Sequence, residues 1–453
     1  MPRELSAPTY YWATETDDKA LAGFLQEHVK EFQQVMRSTL LWDRIRRNWR
    51  YYHNLYFADD VSAASREVKA LGEQGEYAGL SVNHHRNLIQ HLVTLTTQNR
   101  PVYDTRAVNS ELKSIQQAKL GNGLIEYYRT EKRVSQYYRR AVEEALVLTA
   151  GYVKTCWDPS KGQEVAGNVY TQELIYEGDL NWSNPTVFDV YYDVTVNDWR
   201  DQQWVIVREW VNKWDLIARF PDFYDDIIAW EGDDESEYLF RVGLLDRRKY
   251  TDRVPILEFY HKKTDAMLVG RYVKLLGDTK LLDTEMPYRD LPLDRVVPAV
   301  FLMTPFGYTP GFDLQGLQEA INTEFSSILT NHQAFGVQSI WVPSGSDVNV
   351  KQLVDGLNQV ESDVKPEGLN LTQTPPEIFR YIDVLVQHLE YLSGVNSVAR
   401  GQPEASLKSG RALALIDAKA IQFASGLIES YVNLIEDNGT KALRILADFA
   451  TTE

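Results

Sequence analysis

Apolar side chains recur at three- and four-residue steps over several long stretches of the chain, and each stretch predicts a helix with one buried face. Over residues 17–55, Leu21, Phe24, Leu25, Val29 and Phe32 form a first stripe that runs into the aromatic and basic WDRIRRNWRYYHNLYF. A second helix is expected over 83–99. A third, long one over 109–150 carries Leu112, Ile115, Leu120, Leu124, Tyr128, Val134, Tyr138, Val142 and Ala145, with Gly151 placed to end it. Helical spacing returns at Asp313, where Leu314, Leu317, Ile321, Phe325 and Ile328 share a face. Pro375 and Pro376 introduce another helix, since proline is well tolerated in a first helical turn. Its Ile378, Ile382, Leu385, Leu389 and Leu392 alternate four- and three-residue steps, either a narrow seam against a neighbouring helix or an ordinary buried face. A last long helix is expected over 410–438, with Asn438 and Gly439 as its stop.

From 151 to about 310 the period changes to short alternating or β-branched runs, among them GYVKTCW, QQWVIVREWV and VPILEFYHKK, separated by turn-formers. This pattern fits a mixed or antiparallel sheet better than regular βαβ alternation. The acidic EGDDESE at 231–237 reads as a solvated loop. Residues 337–375 form a compact irregular segment with a strand in VQSIWVP and a short helix in NVKQLVDGLNQV. The fold class is α+β and helix-rich.

Composition narrows the functions available. With 453 residues and 44% hydrophobic content the chain can bury a large core. The 26 Tyr and 11 Trp suit cores and subunit interfaces alike. A formal net charge of −17 argues against tight global binding to nucleic acid. The single cysteine, Cys156, excludes an internal disulfide and a multi-cysteine zinc site, and it reads as a small apolar residue in a strand of a protein from a reducing compartment. No apolar run approaches the roughly 20 residues of a membrane helix, and the first residues resemble neither a signal nor a transit peptide. A soluble intracellular product without membrane partners is expected.

Residues 400–415, RGQPEASLKSGRALAL, have the glycine and lysine content of a phosphate-binding loop. A P-loop, however, needs its first glycine at a fixed spacing ahead of Gly-Lys-Ser/Thr, between a strand and a helix. Here Lys408, Ser409 and Gly410 come in the wrong order and follow a helix. His84 and His85 are adjacent, so on a helix they point about 100° apart and cannot share a metal from one face. Neither a His-Glu-x-x-His zinc motif nor a Gly-x-Ser-x-Gly elbow occurs. No catalytic residue, metal or cofactor is expected.

The order of elements is more informative than any one motif. NGLIEYYRTEKRVSQYYRRAVEEALVLTAGYVKTCWDP, a long helix running into a Gly-x-hydrophobic-Lys strand, and LSGVNSVARGQPEASLKSGRALAL, a loop running into a helix, resemble the portal proteins of tailed double-stranded DNA phages, P22-like portals in particular. The resemblance implies a ring, commonly a dodecamer, at one capsid vertex, through which DNA is packaged and ejected. It implies a wing over 1–312, stem helices over 313–336 and 376–392, a clip over 337–375, a tunnel loop over 393–409 and a long wing helix over 410–438. Residues 439–453 would be a short remnant of the helical crown that such proteins carry. The stem would pack through Ile378, Ile382, Leu385, Leu389 and Leu392. The clip would meet its partners through Lys351, Asp355, Glu361, Asp363 and Lys365. Implied partners are further copies of the chain, the passing double-stranded DNA, the large terminase subunit, the major capsid and scaffolding proteins, and head-completion or adaptor proteins. Implied localisation is the portal vertex of the virion, after assembly in the host cytoplasm.

Local charge agrees with that role. Residues 313–392 carry eleven Asp or Glu against Lys351, Lys365 and Arg380, acidic where a DNA clamp would be basic. Residues 393–420 reverse the sign, with Arg400, Lys408, Arg411 and Lys419 against Glu404 and Asp417. Repeated around a ring, that excess makes a weak, sequence-independent contact to phosphates through Arg400, Lys408 and Arg411. Gly401 and Gly410 allow unusual backbone angles, Pro403 restricts them, and Ser406 or Ser409 is placed to cap the following helix. The alternatives are a solvated hinge with incidental charges, another head or tail assembly protein without a DNA channel, and, least supported, a hydrolase.

Overall fold

The computed structural model of the chain describes residues 10–55, 79–98, 104–107, 109–168, 173–230, 252–335, 339–344, 358–361, 363, 376–394 and 422–450. The Asp17 carboxylate accepts the Ala20 N–H and starts α1 (Asp18–Ser38), which buries Leu21, Leu25, Phe32 and Met36. Leu40 then takes a left-handed φ of 56° and turns the chain into α2 (Leu41–Tyr52), so the stretch read as helical over 17–55 is two helices. Asn83 caps α3 (His84–Thr97), whose Leu88, Ile89, Leu92 and Val93 face the core. The long helix expected over 109–150 is also two, α4 (Leu112–Glu131) and α5 (Val134–Leu148), parted at Arg133 with φ 50°. The break turns only α5 fully inward: Val134, Tyr138, Val142 and Ala145 are buried, whereas Leu112, Ile115 and Leu120 are exposed. Thr149, with φ 83°, ends α5. Gly151 serves packing instead of capping, since a Cβ there would lie 1.8 Å from the Ala141 carbonyl oxygen.

The β region follows as β1 (Gly151–Asp158), β2 (Glu164–Asn168), β3 (Glu173–Tyr176), β4 (Asp179–Ser183), β5 (Val190–Tyr192), β6 (Trp204–Asn212), α6 (Lys213–Arg219), α7 (Tyr224–Ala229), β7 (Arg253–His261), β8 (Arg271–Leu276), β9 (Thr279–Thr284), β10 (Leu293–Val296) and the small pair β11 (Ala299–Val300) and β12 (Gly307–Tyr308). Two antiparallel sheets dominate, a three-stranded one in the order β10-β1-β4 and a five-stranded one in the order β5-β6-β7-β8-β9. The helices then return as α8 (Gly311–Phe335), β13 (Ser339–Val342), β14 (Asn358–Glu361), α9 (Pro376–Ser393) and α10 (Ser425–Phe449). The class is α+β, with one large core shared by the helices and both sheets and a smaller one around Leu216, Ile227, Val254, Ile256, Leu276 and Leu281. Among the described residues no helix is long and apolar enough to cross a membrane.

Buried polar groups tie these layers together. Lys154 on β1 donates to Glu258 on β7 and, at 3.0 Å, to Glu209 on β6, while Lys274, Tyr260 and Tyr272 complete the shell of Glu258. Burial alone would raise the Glu258 pKa, but Lys154 and Lys274 overcome it and hold the carboxylate ionised. Cys156 lies half-buried on β1, where burial raises its thiol pKa, so it behaves as packing rather than as a nucleophile.

The last helix departs most from expectation. Asn438 and Gly439 lie inside α10, not at its end. Asn438 is fully buried and makes four hydrogen bonds: it accepts from the Tyr138 hydroxyl (2.9 Å) and the Trp182 indole N–H (3.0 Å), and donates to Thr155 and Asp294 (both 2.8 Å). A satisfied amide at the junction of α5, β1, β4 and β10 outweighs the weak local tendency of Asn-Gly to stop a helix. Residues 439–449, expected as a remnant beyond the helix, continue it and are pinned by Lys441 to Asp294, Arg444 to Asp290 and Arg289 to Asp448.

Candidate functional site: a helix pair and its anchorage

Helix α8 packs on α9 along one side and on α2 and α3 along another. Its apolar side carries Leu314 and Ile321, both fully buried, with Leu317, Phe325 and Ile328 half-buried. A second buried side is polar, formed by Gln315, Gln318, Asn322 and Ser326. These side chains bond the extended backbone just before α3. Gln318 donates to the Val82 carbonyl (2.8 Å) and accepts the His85 N–H (2.9 Å), Asn322 accepts the Val82 N–H (3.2 Å), and Ser326 accepts the Leu80 N–H (3.1 Å). Gln315 donates to the Arg44 carbonyl at 3.1 Å. Sequence reasoning missed this stripe, although polar residues at 315, 318, 322 and 326 repeat with helical spacing beside the apolar one.

The joint centres on His85, which is fully buried. Its Nε2 lies 2.9 Å from the Asn48 amide oxygen and 3.4 Å from the Gly311 carbonyl, both acceptors, so Nε2 carries the proton. Burial lowers its pKa to about 4, which keeps the ring neutral. Asn48 in turn donates to the Val147 carbonyl (2.9 Å), and Gly311 lets α8 start against it, because a Cβ there would meet the Asn48 amide at 2.6 Å. Nearby on α5, burial pushes Glu144 up to about 7 against the opposing pull of Arg140, whose guanidinium lies 2.9 Å away.

On α9, Ile382, Leu385 and Leu389 are buried and Ile378 is half-buried. Leu392, expected as the last residue of that seam, is 44% exposed. A straight helix of 3.6 residues per turn drifts away from a strict 3.5-residue seam, so the buried side continues through Ser393 instead. Gly394, at φ 68°, closes α9, and the Phe423 ring lies over it so tightly that a Cβ would come within 2.3 Å of the ring. The segment that leaves the helix pair at 394 thus returns to the same point at 423.

Between the paired helices, β13 and β14 form a parallel pair with Ser339 opposite Asn358. Asn358, Gln359 and Val360, expected at the end of a short helix, are therefore strand, held by pairing with β13. Glu361 ends that strand and Asp363 is exposed, while Lys351, Asp355 and Lys365 lie outside the described residues, as do Arg400, Gly401, Pro403, Ser406, Lys408, Ser409, Gly410 and Arg411. Helices α8 and α9 carry Asp313, Glu319, Glu324, Glu377, Asp383 and Glu390 against Arg380. Among the described residues no cluster could hold a metal ion. Two clefts there, one between α4, α5 and α10 and one beside Lys441 and Arg444, have room for about 20 and 10 Å³, far below the roughly 300 Å³ of a small-molecule site.

No curated protein matches the chain. The family model described as phage P22-like portal protein matches residues 30–286, more than half of the chain, from within α1 to the end of the five-stranded sheet. By that match over the helices and sheets on which the helix pair is anchored, the chain belongs to the phage P22-like portal protein family.

Proposed function

We propose that the chain is one subunit of a ring, commonly a dodecamer, set at a unique capsid vertex, forming the passage for DNA during packaging and ejection. In this reading residues 1–312 are the wing, α8 and α9 the stem, 337–375 the clip that docks terminase and later the head-completion proteins, and 393–409 the tunnel loop. The capsid and scaffolding proteins meet the ring from outside, and the reading assigns the chain no catalytic step.

The observation that carries it is the family match over residues 30–286, to which α8 is held by the polar bonds of Gln318. Charge supports it. Six acidic side chains against Arg380 on the two helices suit a conduit, because each phosphate that is gripped must be released for DNA to advance. Imaging of the purified protein by negative stain tests the reading: rings with an axial hole are expected, and a monomer with no tendency to form rings would sink it.

A further inference from the structure

The sequence contains two Asn-Gly pairs, Asn122–Gly123 on α4 and Asn438–Gly439 on α10. Such a pair is chemically labile wherever the chain is unfolded. With no Cβ on the glycine to hinder it, the glycine amide nitrogen can attack the carbonyl carbon of the asparagine side chain. The new C–N bond closes a five-membered imide as ammonia leaves, and water then opens the imide to aspartate or isoaspartate. Inside a helix the attack is blocked, because the glycine N–H points along the axis at the carbonyl four residues earlier. At Asn438 it is blocked twice, since the side chain is fully buried and both its oxygen and its nitrogen are held.

We propose that Asn438 is a deamidation site open only in the unfolded chain, and that the fold rejects the product because it sets a carboxylate against Asp294. The Asn438 Nδ2 lies 2.8 Å from the Asp294 Oδ2. An oxygen in its place brings two carboxylates to hydrogen-bond distance with no proton between them. The surroundings do not relieve the clash. Lys441 on α10 is already spent on the other Asp294 oxygen, and Asp437 beside it adds negative charge. The remaining partners, Tyr138 on α5, Thr155 on β1 and Trp182 on β4, carry no charge. Burial already holds the Asp294 carboxyl above its usual range. Isoaspartate is worse still, because it adds a methylene to the backbone of α10. Asn122 differs. It is half-buried, and its Oδ1 accepts the Thr105 N–H at 2.8 Å, a role that an aspartate keeps. A chain that stays unfolded is thereby withdrawn from the pool able to fold through Asn438, and not through Asn122.

The full chain tests this when it is incubated at mildly alkaline pH, either native or in guanidinium chloride, and then returned to native buffer. Peptide mass mapping of the soluble native sample is expected to show Asn438 intact. In the denatured sample both asparagines should convert, and the refolded soluble fraction should contain chains with Asn122 converted to aspartate but none with Asn438 converted. Asn438→Asp, made directly, is expected to unfold at lower denaturant than the parent at pH 8. That deficit should shrink towards pH 5, where the raised carboxylate pair holds one proton. Conversion of Asn438 in the native chain, refolded soluble chains carrying converted Asn438, or an Asn438→Asp deficit that is the same at both pH values would each overturn the proposal.

Discussion

Asn438 shows how much a single side chain can hold in this fold. Its amide uses both lone-pair directions and both protons, on partners from α5, β1, β4 and β10. Asn438→Leu removes the acceptor of the Trp182 N–H and one of the donors to the buried Asp294 carboxylate, so a loss of about 3–5 kcal/mol is expected in denaturant unfolding. The buried titratable groups make a second residue-level prediction. His85, lowered to about 4, leaves the unfolded chain binding more protons as pH falls below 6.5, so its contribution to stability is full above that value and is lost towards pH 4. Glu144, raised to about 7, acts in the opposite direction, stabilising at low pH and losing that contribution as pH rises from 4.5 to 7. Glu144→Gln removes the second effect. Its stability relative to the parent should therefore climb by about 1.4 kcal/mol per pH unit across that window, and parallel stability curves for the two proteins would refute the assignment.

At the scale of elements, the polar side of α8 predicts where the molecule is most sensitive. Gln318→Leu leaves the His85 N–H and the Val82 carbonyl without their side-chain partner. A loss of about 2–4 kcal/mol is expected, and hydrogen exchange should speed up first in α8 and residues 80–86. Gly151→Ala, which drives a Cβ into the Ala141 carbonyl, should prevent stable folding, read as loss of soluble protein. Helices with one continuous apolar stripe, α3 and α8 among them, were legible in the sequence because period and burial coincide there. The break at Arg133 was not, because a left-handed arginine carries no compositional mark. Asn438 and Gly439 were misleading, since a buried amide hub and a helix stop use the same residues and differ only in what surrounds them. The polar stripe of α8 is invisible to apolar period, because its buried face is made of amide and hydroxyl side chains.

For the whole molecule, the charge pattern bears on the proposed DNA passage rather than on the fold. Exchanging Arg400, Lys408 and Arg411 together for glutamine is expected to leave rings intact in negative stain while lowering DNA retention in assembled particles. Particles that package and hold DNA normally would remove the phosphate-contact role and leave the family assignment untouched. The helices and sheets up to β9 were legible as an α+β unit because apolar period separates helical from strand stretches there, and the family match falls on that part. The proposed stem, clip and loop lie beyond it, and how copies of the chain would face each other is something no period within one chain records.

The seat of Phe423 on Gly394 has one more consequence. Because Gly394 and Phe423 touch, the length of chain between them can change while that contact stays as it is. The two ends are thereby held together whatever their connection does: a lineage could lengthen, shorten or recharge residues 395–421 while Gly394 and Phe423 stay as they are, as a fixed socket accepts different fittings.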